Sequence, residues 1–135
     1  MKVASAIVSV FALALATGCM PTSPQGGGLG KDNGFTIGTP MFGVTMKQME
    51  TRAVKVELKR GKFFMQDVRL ESRATEGLKI EPAEMTVKAS EPGEVYLRVT
   101  APENAAIGEY RIYVKGVPES GETTTGEIKV KVTAP

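Results

Sequence analysis

Apolar and polar residues alternate along much of the chain beyond residue 34. The clearest example is a pair of segments, 95–99 and 110–114, in which Val, Leu, Ile and Tyr occupy every second position. Alternation with a period of two places one face of a strand in a core and the other face in water. The two segments therefore predict two strands, joined by a short loop that contains Pro102 and Asn104.

The same alternation predicts further short strands, with turn signals between them. They lie at residues 35–37, 44–47, 51–60, 66–72, 78–80, 85–87 and 128–132. Residues 44–47 are expected to continue the first strand after the break at Pro40, and residues 116–126 to form a polar hairpin loop. Seven to eight strands without a helical period predict an all-β fold, a single immunoglobulin-like antiparallel β-sandwich at residues 35–135.

Tyr110 begins the second strand of the clearest pair, directly after Gly108-Glu109. In immunoglobulin-like sandwiches a Tyr at this place forms a tyrosine corner, in which its hydroxyl bonds to the backbone a few residues upstream. We therefore predict a structural role for Tyr110.

The N-terminus has the pattern of an export signal. Lys2 precedes an almost unbroken apolar run at residues 3–16, which is shorter than the roughly 20 residues that a transmembrane helix needs. The tetrapeptide Ala16-Thr17-Gly18-Cys19 that follows resembles the cleavage box of bacterial lipoprotein precursors. That resemblance implies a signal peptide at residues 1–18, lipidation of Cys19 and a membrane anchor. The alternative is ordinary cleavage after Ala14 or Ala16, which leaves Cys19 as a free thiol.

Residues 19–34 contain the lipidated Cys and a stretch dense in Gly and Pro without apolar periodicity. We expect this stretch to be a flexible tether that holds the domain about 20 Å from the bilayer. Because no Asp follows Cys19, the outer membrane is expected rather than the inner one, with the domain in the periplasm or at the cell surface.

Composition argues against most kinds of chemistry. The chain has 17 Lys and Arg against 15 Asp and Glu, a single Cys, and no His or Trp. Near-neutral charge argues against a nucleic-acid partner. Without His, a Ser-His-Asp or Cys-His site and the usual zinc site are excluded. We expect a non-enzyme with no cofactor, no metal and no small-molecule substrate.

The central half of the chain resembles a family of bacterial immunoglobulin-like domains. The residues that carry the resemblance are Gln48-Met49-Glu50, Lys59-Arg60-Gly61, Asp67-Val68-Arg69-Leu70, Glu76-Gly77-Leu78-Lys79-Ile80-Glu81-Pro82, Glu91-Pro92-Gly93-Glu94, Ala101-Pro102 and Ala106-Ile107-Gly108-Glu109-Tyr110. In this order they are similar to the NEW3-type domains of secreted glycosidases and other surface proteins, although Met49 stands where those domains usually have Gly. The resemblance implies an extracellular accessory domain without catalytic residues.

One outer face is the candidate binding surface. If strand 66–72 and the last two strands share a sheet, its outward residues include Arg69, Arg111, Tyr113, Lys115, Lys129 and Lys131. Only Asp67, Glu71 and Glu127 oppose them. A basic strip around an aromatic side chain fits an anionic polysaccharide or an acidic protein surface. The alternative is an ordinary solvated face, because outward strand positions are usually polar.

Phe63, Phe64 and Met65 cannot all enter one core. Either one of them is an exposed anchor for a partner, or they form a strand end that the tether or the first strand buries. The overall hypothesis is a lipid-anchored module that binds an envelope protein or polysaccharide. The alternative is a structural spacer or an accessory subunit of a separately encoded secreted enzyme.

Overall fold

The computed structural model describes residues 22–30 and 32–135; the predicted signal peptide and Cys19 lie outside these residues. No helix long and apolar enough to cross a membrane occurs in the described part. Ten strands, β1 to β10, follow one another in the described residues. They are Gly26–Gly27, Gly34–Gly38, Val44–Lys47, Thr51–Arg60, Val68–Ala74, Lys79–Glu81, Glu84–Val87, Glu94–Thr100, Gly108–Pro118 and Thr124–Thr133.

The strands form two five-stranded sheets. The first sheet has the order β1-β2-β4-β8-β6, and the second has the order β3-β10-β9-β5-β7. Inward positions of both sheets supply one common core, which includes Ile37, Val56, Leu97, Ile112 and Ile128. The predicted all-β sandwich is confirmed, with ten strands instead of seven to eight.

One predicted strand is divided between the sheets. Residues 34–38 pair with β4 in the first sheet, whereas Val44–Lys47 runs parallel to β10 in the second sheet. The prediction that residues 44–47 continue the first strand was therefore wrong, and the sandwich is not purely antiparallel. The intervening segment carries Pro40 and Gly43, which interrupt pairing, and the positive φ of 74° at Gly43 suits a residue without a side chain.

The last hairpin is longer than predicted. Strand β9 continues to Pro118 and strand β10 begins at Thr124, so most of the residues predicted to form a polar loop belong to the ladder. Gly116 and Gly126 lie on the inward side of these strands and are buried. A Cβ at Gly116 would stand 2.7 Å from the Phe35 ring, so the missing side chain makes room for that ring.

The Gly-rich segment before residue 35 packs against the sandwich. The amide of Ser23 donates to the Ile37 carbonyl at 2.9 Å, and Gly27 exchanges backbone hydrogen bonds with Glu122. Strand β1 pairs with the start of β2. The boundary that composition placed at residue 35 thus differs from the structure, in which residues 22–30 and 32–34 belong to the folded unit. Gly residues permit this because their backbone approaches neighbours that side chains would keep away.

Tyr110 lies at the start of β9 with its side chain buried. Its hydroxyl donates a hydrogen bond of 2.5 Å to the carbonyl of Ala106, four residues upstream, as a tyrosine corner requires. This bond closes the loop between β8 and β9.

Candidate functional site

The six residues of the predicted binding face lie on the outer side of the second sheet. Lys129 and Lys131 lie on β10, Arg111, Tyr113 and Lys115 on β9, and Arg69 on β5. Strand β9 is paired with both of the others, and their inward neighbours are buried in the core. Tyr113 lies opposite Glu127 of β10 on one side and Arg73 of β5 on the other. The topology therefore brings the six residues onto one surface.

Two of the five cations among these residues are already paired with acids. Arg111 Nη1 lies 2.5 Å from Glu127 Oε2, diagonally across β9 and β10. Arg69 Nε lies 2.9 Å from Glu71 Oε2 and 3.3 Å from Glu84 Oε2. Solvent competes with such exposed pairs, so each contributes little to stability. Their effect on the face is to neutralise two of its positive charges.

Glu84 is not among the acids that the sequence places on this face, because it lies on β7 and only the pairing of β5 with β7 brings it opposite Glu71. Asp67 does not act as a counter-charge in the centre of the face. Its Oδ1 accepts a hydrogen bond of 2.9 Å from the amide of Ala89, so it holds a loop.

The remaining positive charge on the face gathers around Tyr113. Within residues 22–30 and 32–135, the ion pairs include none of Arg73, Lys115, Lys129 and Lys131. Arg73 and Lys115 border a shallow depression of about 430 Å³ with the half-buried Tyr113. We call Arg73, Tyr113 and Lys115 the β9 patch. Arg73 follows Arg69 and Glu71 at the same period of two, and that signal could have identified it from sequence.

The β9 patch has the chemistry of an anion site. A guanidinium and an ammonium group beside a Tyr hydroxyl offer charged donors and a flat apolar ring, which suit a carboxylate or sulfate on a sugar. Glu71 also borders the depression, but Arg69 holds its carboxylate. In the described part of the chain, no cluster of three or more Asp, Glu, Cys or His side chains could hold a metal ion.

The outer face of the first sheet differs in its charges. Lys55 Nζ lies 2.8 Å from Glu94 Oε2. The hydrogen bond to this carboxylate and its negative charge raise the pKa of Lys55 above its ordinary value. Arg98 lies 3.9 Å from Glu81, and the exposed Tyr96 stands between these pairs on β8. The cations nearest this Tyr are therefore balanced by acids, unlike those of the β9 patch.

The run from Phe63 to Met65 divides between core and surface. Phe64 is buried, with its ring centroid 5.1 Å from that of Phe35 on the first strand of the predicted domain. Its ring also lies against Gly27 of the N-terminal segment. Phe63 and Met65 are exposed on either side of it, and Lys62 Nζ lies 5.5 Å from the centroid of the Phe63 ring. The burial of Phe64 by Phe35 and the N-terminal segment agrees with the second alternative, although residues 63–65 lie between β4 and β5 and not in a strand. An anchoring role of Phe63 or Met65 stays a prediction.

No family model matches the sequence, and no curated protein matches it. Solved structures with a similar fold include a bacterial chaperone and a nematode protein. The crystal structure of the E. coli chaperone DraB matches with a TM-score of 0.53 and 14% identity over 75% of this chain and 55% of that chain. WR4, a C. elegans MSP family member, matches with a TM-score of 0.43 and 14% identity over 68% of this chain and 92% of that chain.

The likeness to DraB supports the architecture alone. The matched region spans about half the length of that chaperone, and at 14% identity no residue role transfers from it. The resemblance to NEW3-type domains stays a prediction from sequence.

Proposed function

We propose that this protein is a non-catalytic, lipid-anchored component of the bacterial envelope, whose β9 patch binds an anionic polysaccharide or an acidic protein surface. The observation that carries the proposal is that two cations beside a half-buried Tyr have no acidic partner among residues 22–30 and 32–135. The rigid second sheet fixes the positions of these side chains, which lowers the ordering cost of binding.

The proposed cellular location is inferred from the N-terminal sequence. The box at Ala16 to Cys19 resembles those of lipoprotein precursors, and several acyl chains give the stable anchoring that a single chain does not. The absence of Asp after Cys19 favours the outer membrane in this proposal. The domain would then meet envelope polysaccharides and proteins in the periplasm or at the cell surface.

The β9 patch is tested by capture of envelope polysaccharides and envelope proteins on the immobilised full-length protein, at low and moderate salt. We expect Lys115→Glu to weaken retention of the bound class about fivefold, the effect of one exposed charge pair. Lys59→Glu is the matched control, since it makes the same charge change on an exposed outward position of the first sheet. Equal loss in both variants would show nonspecific attraction and refute the patch.

The alternative is a structural spacer without a ligand. The ion pairs of Arg69 and Arg111 favour it, because they leave less free charge on the face than the sequence suggested. If the folded protein retains neither envelope polysaccharides nor envelope proteins, the spacer is supported. Retention that Lys115→Glu reduces, and Lys59→Glu does not, would support the binding module.

The anchor is tested separately. Cys19→Ser removes the only thiol that could form a thioether, so we expect the protein to move from the membrane fraction to the soluble fraction. Fractionation and immunoblotting of cells that express each form measure the change. Membrane association of Cys19→Ser equal to that of wild type would contradict lipidation at this residue.

A further inference from the structure

Large apolar side chains are exposed where the chain crosses from one sheet to the other. Phe42 is 95% exposed, and Met41 beside it is 36% exposed. They border a cleft of about 590 Å³ that the N-terminal segment Thr22–Pro24 and strand β10 also line. A single exposed apolar residue is common on protein surfaces, so exposure alone does not define a site. The position of the cleft relative to Cys19 supplies a second observation.

Cys19 lies only three positions before Thr22, which is in the wall of this cleft. Three extended residues span at most about 10 Å. Thr22–Pro24 are fixed to the sandwich, because Ser23 bonds to Ile37 and the Thr124 hydroxyl donates to the Pro24 carbonyl. A lipid on Cys19 therefore keeps the cleft and its exposed side chains at the membrane surface.

The charges around the cleft suit that surface. Lys129 lines the cleft, and Lys131 is the next outward residue of β10, opposite Thr45 on β3. Glu127 lines the cleft too, but Arg111 holds its carboxylate. Ammonium groups beside exposed apolar side chains are typical of segments that lie in the interface of an anionic bilayer.

We propose that Met41 and Phe42 insert into the lipid surface to which Cys19 is attached, while Lys129 and Lys131 contact anionic headgroups. This inference rests on the proposed lipid anchor. The domain then stands on the membrane by the edge that contains the crossover, instead of swinging on a long tether. The β9 patch lies next to this cleft, since Thr125 borders both and pairs with Lys115, but its Arg73 stands on β5, two strands from β10.

Tryptophan fluorescence tests the insertion, because the chain contains no Trp. Full-length mature protein carrying Phe42→Trp is purified from membranes and reconstituted into vesicles of phosphatidylethanolamine and phosphatidylglycerol with bromine near the top of the acyl chains. Interfacial side chains enter about 5–10 Å into the headgroup and acyl boundary. We therefore expect emission at shorter wavelength and strong quenching by the brominated lipids.

Tyr96→Trp is the matched control, since Tyr96 is an exposed aromatic residue on the outer face of the first sheet, two strands from β2. We expect it to emit as in water and to resist quenching. Adding Lys129→Glu and Lys131→Glu to Phe42→Trp is expected to reduce quenching in phosphatidylglycerol vesicles.

The possible failures are distinguishable. If the vesicles retain the protein but Phe42→Trp is quenched no more than Tyr96→Trp, membrane docking is refuted and the lipid anchor stands. If wild-type protein fractionates like Cys19→Ser, the anchor is absent and both proposals are refuted. A shift to shorter wavelength that depends on protein concentration, without quenching, would show that a second copy covers Phe42 and would also refute the docking.

Discussion

Met49 has a backbone conformation that L-amino acids rarely adopt. Its φ is 70°, the only positive value at a non-Gly residue in the described part of the chain. The surrounding turn imposes it: Glu50 donates to the Lys47 carbonyl, and Met49 itself donates to the Ala101 carbonyl at 2.7 Å. The side chain is 65% exposed and contributes little burial in return. The residue is therefore strained without compensation from packing.

Met49→Gly is expected to stabilise the protein. Relief of the left-handed conformation contributes about 1–2 kcal/mol, from which about 0.4–1 kcal/mol is lost through the greater freedom of Gly in the unfolded chain. Urea unfolding should show a net gain of about 0.5–1 kcal/mol in the free energy of unfolding. The control is Met65→Gly, at an exposed Met without a positive φ, which should give no gain. A loss of stability in Met49→Gly would contradict this account.

Strand β1 is the element that could not be predicted from the composition of the sequence. Its two Gly residues have no hydrophobic pattern, yet they pair with β2 of the first sheet. Gly27 also bonds to Glu122, which precedes β10 of the second sheet. A Cβ at Gly27 would stand 2.9 Å from the Phe64 ring, so the segment lies directly over a core aromatic residue. The N-terminal segment thus covers one edge of the sandwich.

Hydrogen exchange at single-residue resolution tests this placement. We expect the amides of Ser23 and Gly27 to exchange far more slowly than those of an unstructured peptide, because both are bonded to the sandwich. The Leu29 amide, in the exposed turn between β1 and β2, provides an internal comparison and should exchange rapidly. If all three amides exchange at the rate of an unstructured peptide, the placement is contradicted and the prediction of a flexible tether at residues 19–34 is supported.

For the whole molecule, a net charge of +2 conceals an uneven distribution. On the first sheet, Lys55 and Arg98 lie beside Glu94 and Glu81. On the second sheet, Lys115, Lys129 and Lys131 lie at outer positions of β9 and β10 and belong to none of the ion pairs among the described residues. If Cys19 is lipidated, the fixed N-terminal segment also determines which edge approaches the membrane. The proposed ligand surface and the proposed membrane surface are therefore neighbours on the second sheet, and the membrane surface lies nearer the β3 edge.

The sequence by itself determined what depends on neighbours along the chain. Alternation places every second side chain on one face, so residues 54–58, 95–99, 110–114 and 128–132 could be assigned to strands with known inward positions. Turn signals gave most of the strand boundaries. These strand assignments predicted the all-β sandwich and the outward direction of Tyr113 and Lys115.

Only the tertiary structure decided what depends on residues far apart in sequence. The crossover that divides β2 from β3, the pairing of Gly27 with Glu122 and the bond between Arg69 and Glu84 all require knowing which strands are neighbours. The burial of Phe64 also depends on a contact between residues far apart in sequence, because its ring packs against Phe35 on β2. A period of two fixes the face of a side chain but not the adjacent strand, and Gly has no side chain to show a pattern.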